Sequence, residues 1–284
     1  MKTTNVFRVL TVCLCSLVLL MGTAQAVLVT HDSTTVLFDD FEGVAAGGYP
    51  DASIWEILFT NYGTGSITVL DSNSAGPGAF QGSQYIEMKG DPNGVNTYLT
   101  MEALLGGLPD PTAVGGGYTT GSLHSESMIY VTGSGKGGIH GHRTSGTSPE
   151  PRLNISRNRD SDSDGEANGY SNDTGYADFD VLDPNGPGVP IVTDQWQKWE
   201  IDVNLNTADD GSDDTWTVTI DGNQSGSIAT WRNHPDVGRI SFGMTGDFRD
   251  TWYLDAVPEP SSILIFGCGL FALIMYGCRR RFAK

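Results

Sequence analysis

The chain has 284 residues, with 34 acidic side chains against 16 Lys and Arg and a formal net charge of −18. That field excludes nucleic acid as a natural partner and favours cations, neutral glycans or a basic surface. The four cysteines (Cys13, Cys15, Cys268 and Cys278) all lie near the two ends, so positions 27–257 hold neither a disulfide scaffold nor a cysteine nucleophile.

Lys2 and Arg8 open the chain, an apolar run covers 9–21, and Ala24-Gln25-Ala26 follows as a small-x-small exit. This is the layout of a secretory signal peptide. Residues 1–26 are expected to be a signal helix removed by signal peptidase, leaving Val27 as the first mature residue.

Positions 27–257 carry 33 acidic and 10 basic residues. No long helix is expected there; the best candidate, 101–105, is stopped by Gly106-Gly107. Short alternating apolar runs separated by Gly, Asn, Asp and Pro predict strands at 35–38, 66–70, 84–88, 96–101, 124–131, 152–156, 196–205, 215–220, 239–245 and 252–257. Trp199, Ile201 and Val203 alternate with Glu200 and Asp202, one face buried and one wet. Trp216, Val218 and Ile220 repeat the pattern, and Asp221-Gly222 signals a tight turn. Two Gly-, Ser- and Asp-rich stretches, 133–150 and 158–188, read as long surface loops. The sum is an all-β, antiparallel β-sandwich over 27–256, of jelly-roll type.

Candidate chemistry is sparse. Sandwich glycosidases need two carboxylates on one strand face. Glu200 and Asp202 share a face, but it is the wet one, and no Glu-x-Asp-x-x-Glu run occupies a core strand. His140 and His142 would project from one side of an extended segment as a two-histidine metal edge or a lyase base, without a third ligand nearby; exposed loop histidines are the plainer reading. Calcium is a candidate cofactor, since hard cations want clustered oxygens. Asp160, Asp162 and Asp164 precede Gly165 as in a calcium loop, although Ser171 stands where the closing acid belongs. The acidic loop 206–214 offers a second place, and Asp40, Glu42 and Asp255 a third; a resemblance to jelly rolls whose first and last strands lie side by side implies that these three acids cap a calcium. Trp231, flanked by polar residues, is the candidate ring for stacking on a sugar, with Tyr170 and Tyr176 behind it.

The last 28 residues differ in kind. Val257-Pro258-Glu259-Pro260 leads into an apolar run over 261–278 and then Arg279, Arg280 and Arg281. The run is long enough for a transmembrane helix, and the arginines set its orientation with the tail cytoplasmic. The two prolines keep the motif extended and out of helix. This order of motif, helix and basic cluster resembles the PEP-CTERM sorting tails. The resemblance implies that 257–284 is read by an exosortase at the inner membrane, with Pro258, Glu259, Pro260 and Arg279–Arg281 as the sorting signal. It also implies a Gram-negative envelope or extracellular polysaccharide matrix as destination.

More loosely, Phe38-Asp39-Asp40-Phe41-Glu42-Gly43, Trp196-Gln197-Lys198-Trp199-Glu200, Val218-Thr219-Ile220-Asp221-Gly222 and Trp252-Tyr253-Leu254-Asp255 resemble the concanavalin A-like and LamG-like jelly rolls. That group implies a carbohydrate-binding or structural domain without catalysis. A polysaccharide hydrolase or lyase on the same fold is the alternative.

Overall fold

The computed structural model describes residues 24–25, 27–60, 65–90, 98–108, 113, 115–133, 139–146, 151–157, 165–171, 175–183, 186–206, 214–230, 236–245, 251–255 and 257–258. Residues 26–257 form one compact unit.

The strands of the two large sheets, in chain order, are β1 (Val27–His31), β2 (Thr34–Asp39), β3 (Trp55–Thr60), β4 (Ser66–Asp71), β5 (Gln84–Lys89), β6 (Tyr98–Leu104), β7 (Gly121–Val131), β8 (Ile139–Arg143) and β9 (Pro151–Arg157). They continue with β10 (Ala167–Ser171), β11 (Gly175–Asp178), β12 (Trp196–Leu205), β13 (Thr215–Ile220), β14 (Asn223–Gln224), β15 (Ile228–Ala229), β16 (Arg239–Thr245) and β17 (Thr251–Asp255). The larger sheet runs β14-β13-β12-β7-β17-β5-β4, with β15 also on β13 and the β1–β2 hairpin on β7. The smaller sheet runs β11-β10-β9-β8-β16-β6-β3. The pairings are antiparallel, so the sequence-predicted all-β sandwich is the architecture observed.

Strand β7 organises the larger sheet. One edge pairs with β12 from Gly121–Leu205 to Tyr130–Trp196. The other edge is shared: β1 takes Leu123 to Ser127, and β17 takes Met128 to Val131. The first and last strands of the domain therefore lie end to end along one neighbour. Period-2 alternation sends Trp199, Ile201, Val203, Trp216 and Val218 inward, all at most 1% exposed, and Met101, Ile240 and Phe242 of the smaller sheet are buried likewise. Trp199 and Trp252 pack edge to face at 5.4 Å. Such large apolar surfaces, removed from water, are what hold the two layers together.

Both two-residue hairpin turns use left-handed backbone. Asp32 and Ser33 (φ 46° and 66°) join β1 to β2; Asp221 and Gly222 (φ 47° and 83°) join β13 to β14. This is the turn that matches the right-handed twist of paired strands.

Residues 101–104 belong to strand β6, with Leu99, Met101 and Ala103 all facing the core. Two expectations change. The stretch expected as a surface loop at 133–150 contains β8, paired on both edges by β9 and β16. The stretch at 158–188 contains β10 and β11. Gly and His supply no apolar alternation, so these strands leave little sequence signal although β8 and β10 are paired on both edges and β11 on one. The one helix among the described residues is a single turn, Phe179–Leu182. Its Phe179 meets Trp216 edge to face at 5.4 Å.

Candidate functional site

The outer face of the larger sheet carries a stripe along β7, β12 and their neighbours. The residues alternate out of the core on both strands: Tyr130, Glu126 and His124 on β7; Trp196, Lys198, Glu200 and Asp202 on β12. From Trp196 to Asp202 the stripe spans roughly 20 Å at the rise of an extended strand.

One end is aromatic. Trp196 meets Tyr130 edge to face at 5.5 Å, Phe80 at 6.2 Å and Tyr85 at 6.3 Å. Tyr253 joins Tyr130 at 5.9 Å and Tyr85 at 5.8 Å. Tyr85 and Tyr253 are buried as the base of the group, Tyr130 and Trp196 are half-buried, and Phe80 is 41% exposed. Burial pushes the Tyr253 hydroxyl up to about 12, helped by Glu87, so all these rings are neutral at physiological pH.

The other end is ionic. Glu126 and Glu200 stand opposite each other in the β7–β12 register, as do His124 and Asp202. Lys198 bridges the glutamates at 2.6 and 2.8 Å. His124 Nδ1 lies 2.8 Å from Asp202, and its Nε2 lies 3.9 Å from Glu126. The Asp202 hydrogen bond, reinforced by Glu126, raises the His124 pKa to about 9. His124 and Lys198 in turn hold the Glu126 carboxyl below its ordinary value. Of this group, sequence reasoning singled out only Glu200 and Asp202. His124, Glu126 and Lys198 join them through a strand register that no local signal reports.

Glu42, Asp255 and Asp40, three of the acids proposed for calcium, have other partners here. Glu42 accepts the amides of Ser83 and Gln84 at 2.6 and 2.9 Å and the Ser83 hydroxyl at 2.5 Å. Asp255 accepts the amides of Phe80 and, at 3.2 Å, Gln81. Asp40 accepts the amide of Glu42 at 3.1 Å. Glu42 and Asp255 thus clamp the segment that carries Phe80, and the three do not converge as one cluster of ligand atoms among the described residues. Asp160, Asp162, Asp164 and Trp231 lie outside the described residues. Tyr170 and Tyr176 are register partners on β10 and β11.

His140 and His142 are not exposed loop residues. Both are fully buried on β8 and point between the sheets, on one side as their spacing predicts. His140 stacks on Phe242 at 4.4 Å, and neither of its ring nitrogens has a hydrogen-bond partner among the described residues. His142 Nε2 lies 3.0 Å from Ser125 Oγ of the facing sheet. Burial drives the pKa of His140 well below its ordinary value and that of His142 to about 4, so both are neutral. On the outer face of the smaller sheet, buried Glu102 pairs with Arg143 and lies 3.7 Å from Arg239, which also bonds Glu56 at 2.9 Å.

Residues 256–281 match the model of the PEP-CTERM protein-sorting motif. The chain ends in a PEP-CTERM sorting tail. A PEP-CTERM tail marks an exported protein of a Gram-negative-type envelope and a substrate of exosortase. Here the backbone of Pro258 is extended; Glu259, Pro260, the apolar run 261–278 and Arg279–Arg281 lie outside the described residues. No helix among the described residues is long and apolar enough to cross a membrane.

No curated protein sequence matches this PEP-CTERM chain. Among solved structures, a sialidase is similar over 81% of the chain, with 12% identity and a TM-score of 0.47; the chain spans only 18% of that protein. The alginate lyase vAL-1 from Chlorella virus is 14% identical over 72% of the chain and 91% of its own length, TM-score 0.41. The Emp47p carbohydrate recognition domain is 10% identical over 82% of the chain and 98% of its own length, TM-score 0.40.

Proposed function

We propose that this is an exported envelope or matrix protein, sorted by its PEP-CTERM tail, whose β-sandwich binds carbohydrate without turning it over. The observation that carries the reading is the aromatic group of Phe80, Trp196 and Tyr130 on the outer face of the larger sheet. Rings that stay partly exposed beside polar groups offer a flat apolar surface for one face of a sugar and acceptors for its hydroxyls. The acids nearby, Glu87 and Asp255, and the strongly negative domain around them favour a neutral glycan over an anionic one.

The alternative, a hydrolase or lyase, would draw on Glu126 and Glu200. Glycoside hydrolysis needs one carboxyl kept protonated as the acid. An ammonium shared between both carboxylates, with Glu126 held below its ordinary pKa, opposes that role.

The test is affinity electrophoresis of the full chain through gels containing neutral or uronate polysaccharides, alongside assays for reducing ends and unsaturated products. Retardation by a neutral glycan, weakened about tenfold or more by Trp196→Ala, is expected. Silence across the panel leaves a structural role alone, and product release establishes the enzyme instead.

A further inference from the structure

The geometry points to a second sugar-binding site, in the cleft between the β1–β2 turn and Gly106, Gly107 and Tyr118. The inference rests on the reading of the domain as a carbohydrate binder, and it gives the sandwich two separate points of attachment to glycan. The cleft measures about 490 Å³, within the range of small-ligand sites. His31, Asp32, Thr34, Thr35, Gly107 and Tyr118 are among its walls.

Its groups are fixed before any ligand arrives. Tyr118 stacks on His31 at 3.9 Å, and its hydroxyl donates to the Gly106 carbonyl. The Thr120 carbonyl, 2.8 Å from His31 Nε2, can only accept, so Nε2 carries the hydrogen and Nδ1 is left an acceptor. Asp32 stands at φ 46° in the turn, and its Oδ1 accepts the amide and the hydroxyl of Ser122 at 2.9 and 3.3 Å. The Ser122 amide holds the Asp32 carboxyl below its ordinary value, so it is ionised. Gly121, at φ 92°, admits both side chains: a Cβ there would lie 2.7 Å from His31 Nε2 and from Asp32 Oδ2. An aromatic wall beside a rigid, ionised acceptor and two threonine hydroxyls suits a sugar. The ring takes an apolar C–H face, and the carboxylate takes neighbouring hydroxyls. The same carboxylate repels uronates and sulfated sugars, so the ligand class is a neutral glycan.

The cleft lies at the opposite end of β7 from the aromatic group. The Asp32 amide donates to the Ser122 carbonyl at one end, and Trp196 pairs with Tyr130 at the other. At the rise of an extended strand these points are roughly 26 Å apart. The Glu126–Lys198–Glu200 ion pairs occupy the face between them. A single sugar ring cannot reach both, so each site takes its own stretch of glycan.

The test is calorimetric titration of the full chain with cellohexaose, laminarihexaose and mannohexaose. Wild type is compared with Trp196→Ala, Asp32→Asn and Thr35→Trp, and with Trp196→Ala combined with each of the other two. Asp32→Asn keeps an acceptor for Ser122 without the charge. Thr35→Trp fills the cleft from an exposed position. Circular dichroism checks that each variant keeps its strands. Binding that persists in Trp196→Ala is expected, weakened about tenfold or more by Asp32→Asn and lost with Thr35→Trp. Binding abolished by Trp196→Ala and untouched by either cleft variant overturns the cleft and leaves the aromatic reading standing. Residual binding in Trp196→Ala that ignores both cleft variants overturns it as well. Binding unchanged by Trp196→Ala but lost with Thr35→Trp upholds the cleft and removes the aromatic reading. No heat with any of the oligosaccharides overturns both.

Discussion

Asp255, the last residue of β17, accepts the backbone amide of Phe80, so the final strand of the larger sheet sets the position of an exposed ring 175 residues away. The carboxylate is fully buried and acts through the chain that bears the ring. Asp255→Ala is therefore expected to weaken retention in a neutral-glycan gel as strongly as Phe80→Ala. Asp255→Asn, which keeps an acceptor, should lose less. Equal retention by all three and the wild type would remove Phe80 from the binding surface.

Trp196 and Trp199 share strand β12 but face opposite ways. Trp199→Ala opens a large cavity between the sheets and should cost roughly 3–5 kcal/mol of stability. Trp196→Ala removes a half-buried outer ring and should cost clearly less. Urea unfolding of the two variants reads the difference; a comparable loss at both positions contradicts the assignment of faces.

Acid should loosen the sandwich through His140 and His142. The unfolded histidine binds a proton near pH 6.5, whereas the folded His142 does so only near 4. Its contribution is fully present above pH 6.5 and is lost as pH falls from there towards 4. At about 1.4 kcal/mol per pKa unit the loss approaches roughly 3 kcal/mol for His142, and His140 acts in the same direction. The measurement is the urea midpoint between pH 7 and 4, compared with His140→Leu/His142→Leu. The wild-type midpoint should fall more steeply; parallel curves would refute this.

Gly222 has φ 83° with nothing within 4 Å of a built Cβ. Substitution there meets no clash, so its cost isolates the backbone. Gly222→Ala should destabilise by about 1–2 kcal/mol. Gly222→Asn, which tolerates the left-handed region, should recover part of that. Thermal unfolding checks the order Gly, Asn, Ala.

The sequence alone determined what is written in short, local patterns. The PEP-CTERM tail is a linear signal, read off Pro258-Glu259-Pro260 and the arginines without any fold. Strands β12 and β13 were legible because period-2 alternation of Trp, Ile and Val records a buried face residue by residue. The Asp221-Gly222 turn was legible because few residues tolerate its backbone. Tertiary structure decided the rest. His140 and His142 looked exposed because glycines surround them in the chain, yet β9 and β16 pair their strand on both edges and the facing sheet, with Ser125 and Trp199, covers their rings. Glu42 and Asp255 stood out as free oxygens, and packing gave them the amides of the Phe80 segment. Trp196 rather than a core tryptophan reaches the surface because of which neighbours cover each face. The His124, Glu126, Lys198 and Glu200 cluster exists only through the register of β7 against β12, a pairing between positions some 75 residues apart that no local spacing encodes.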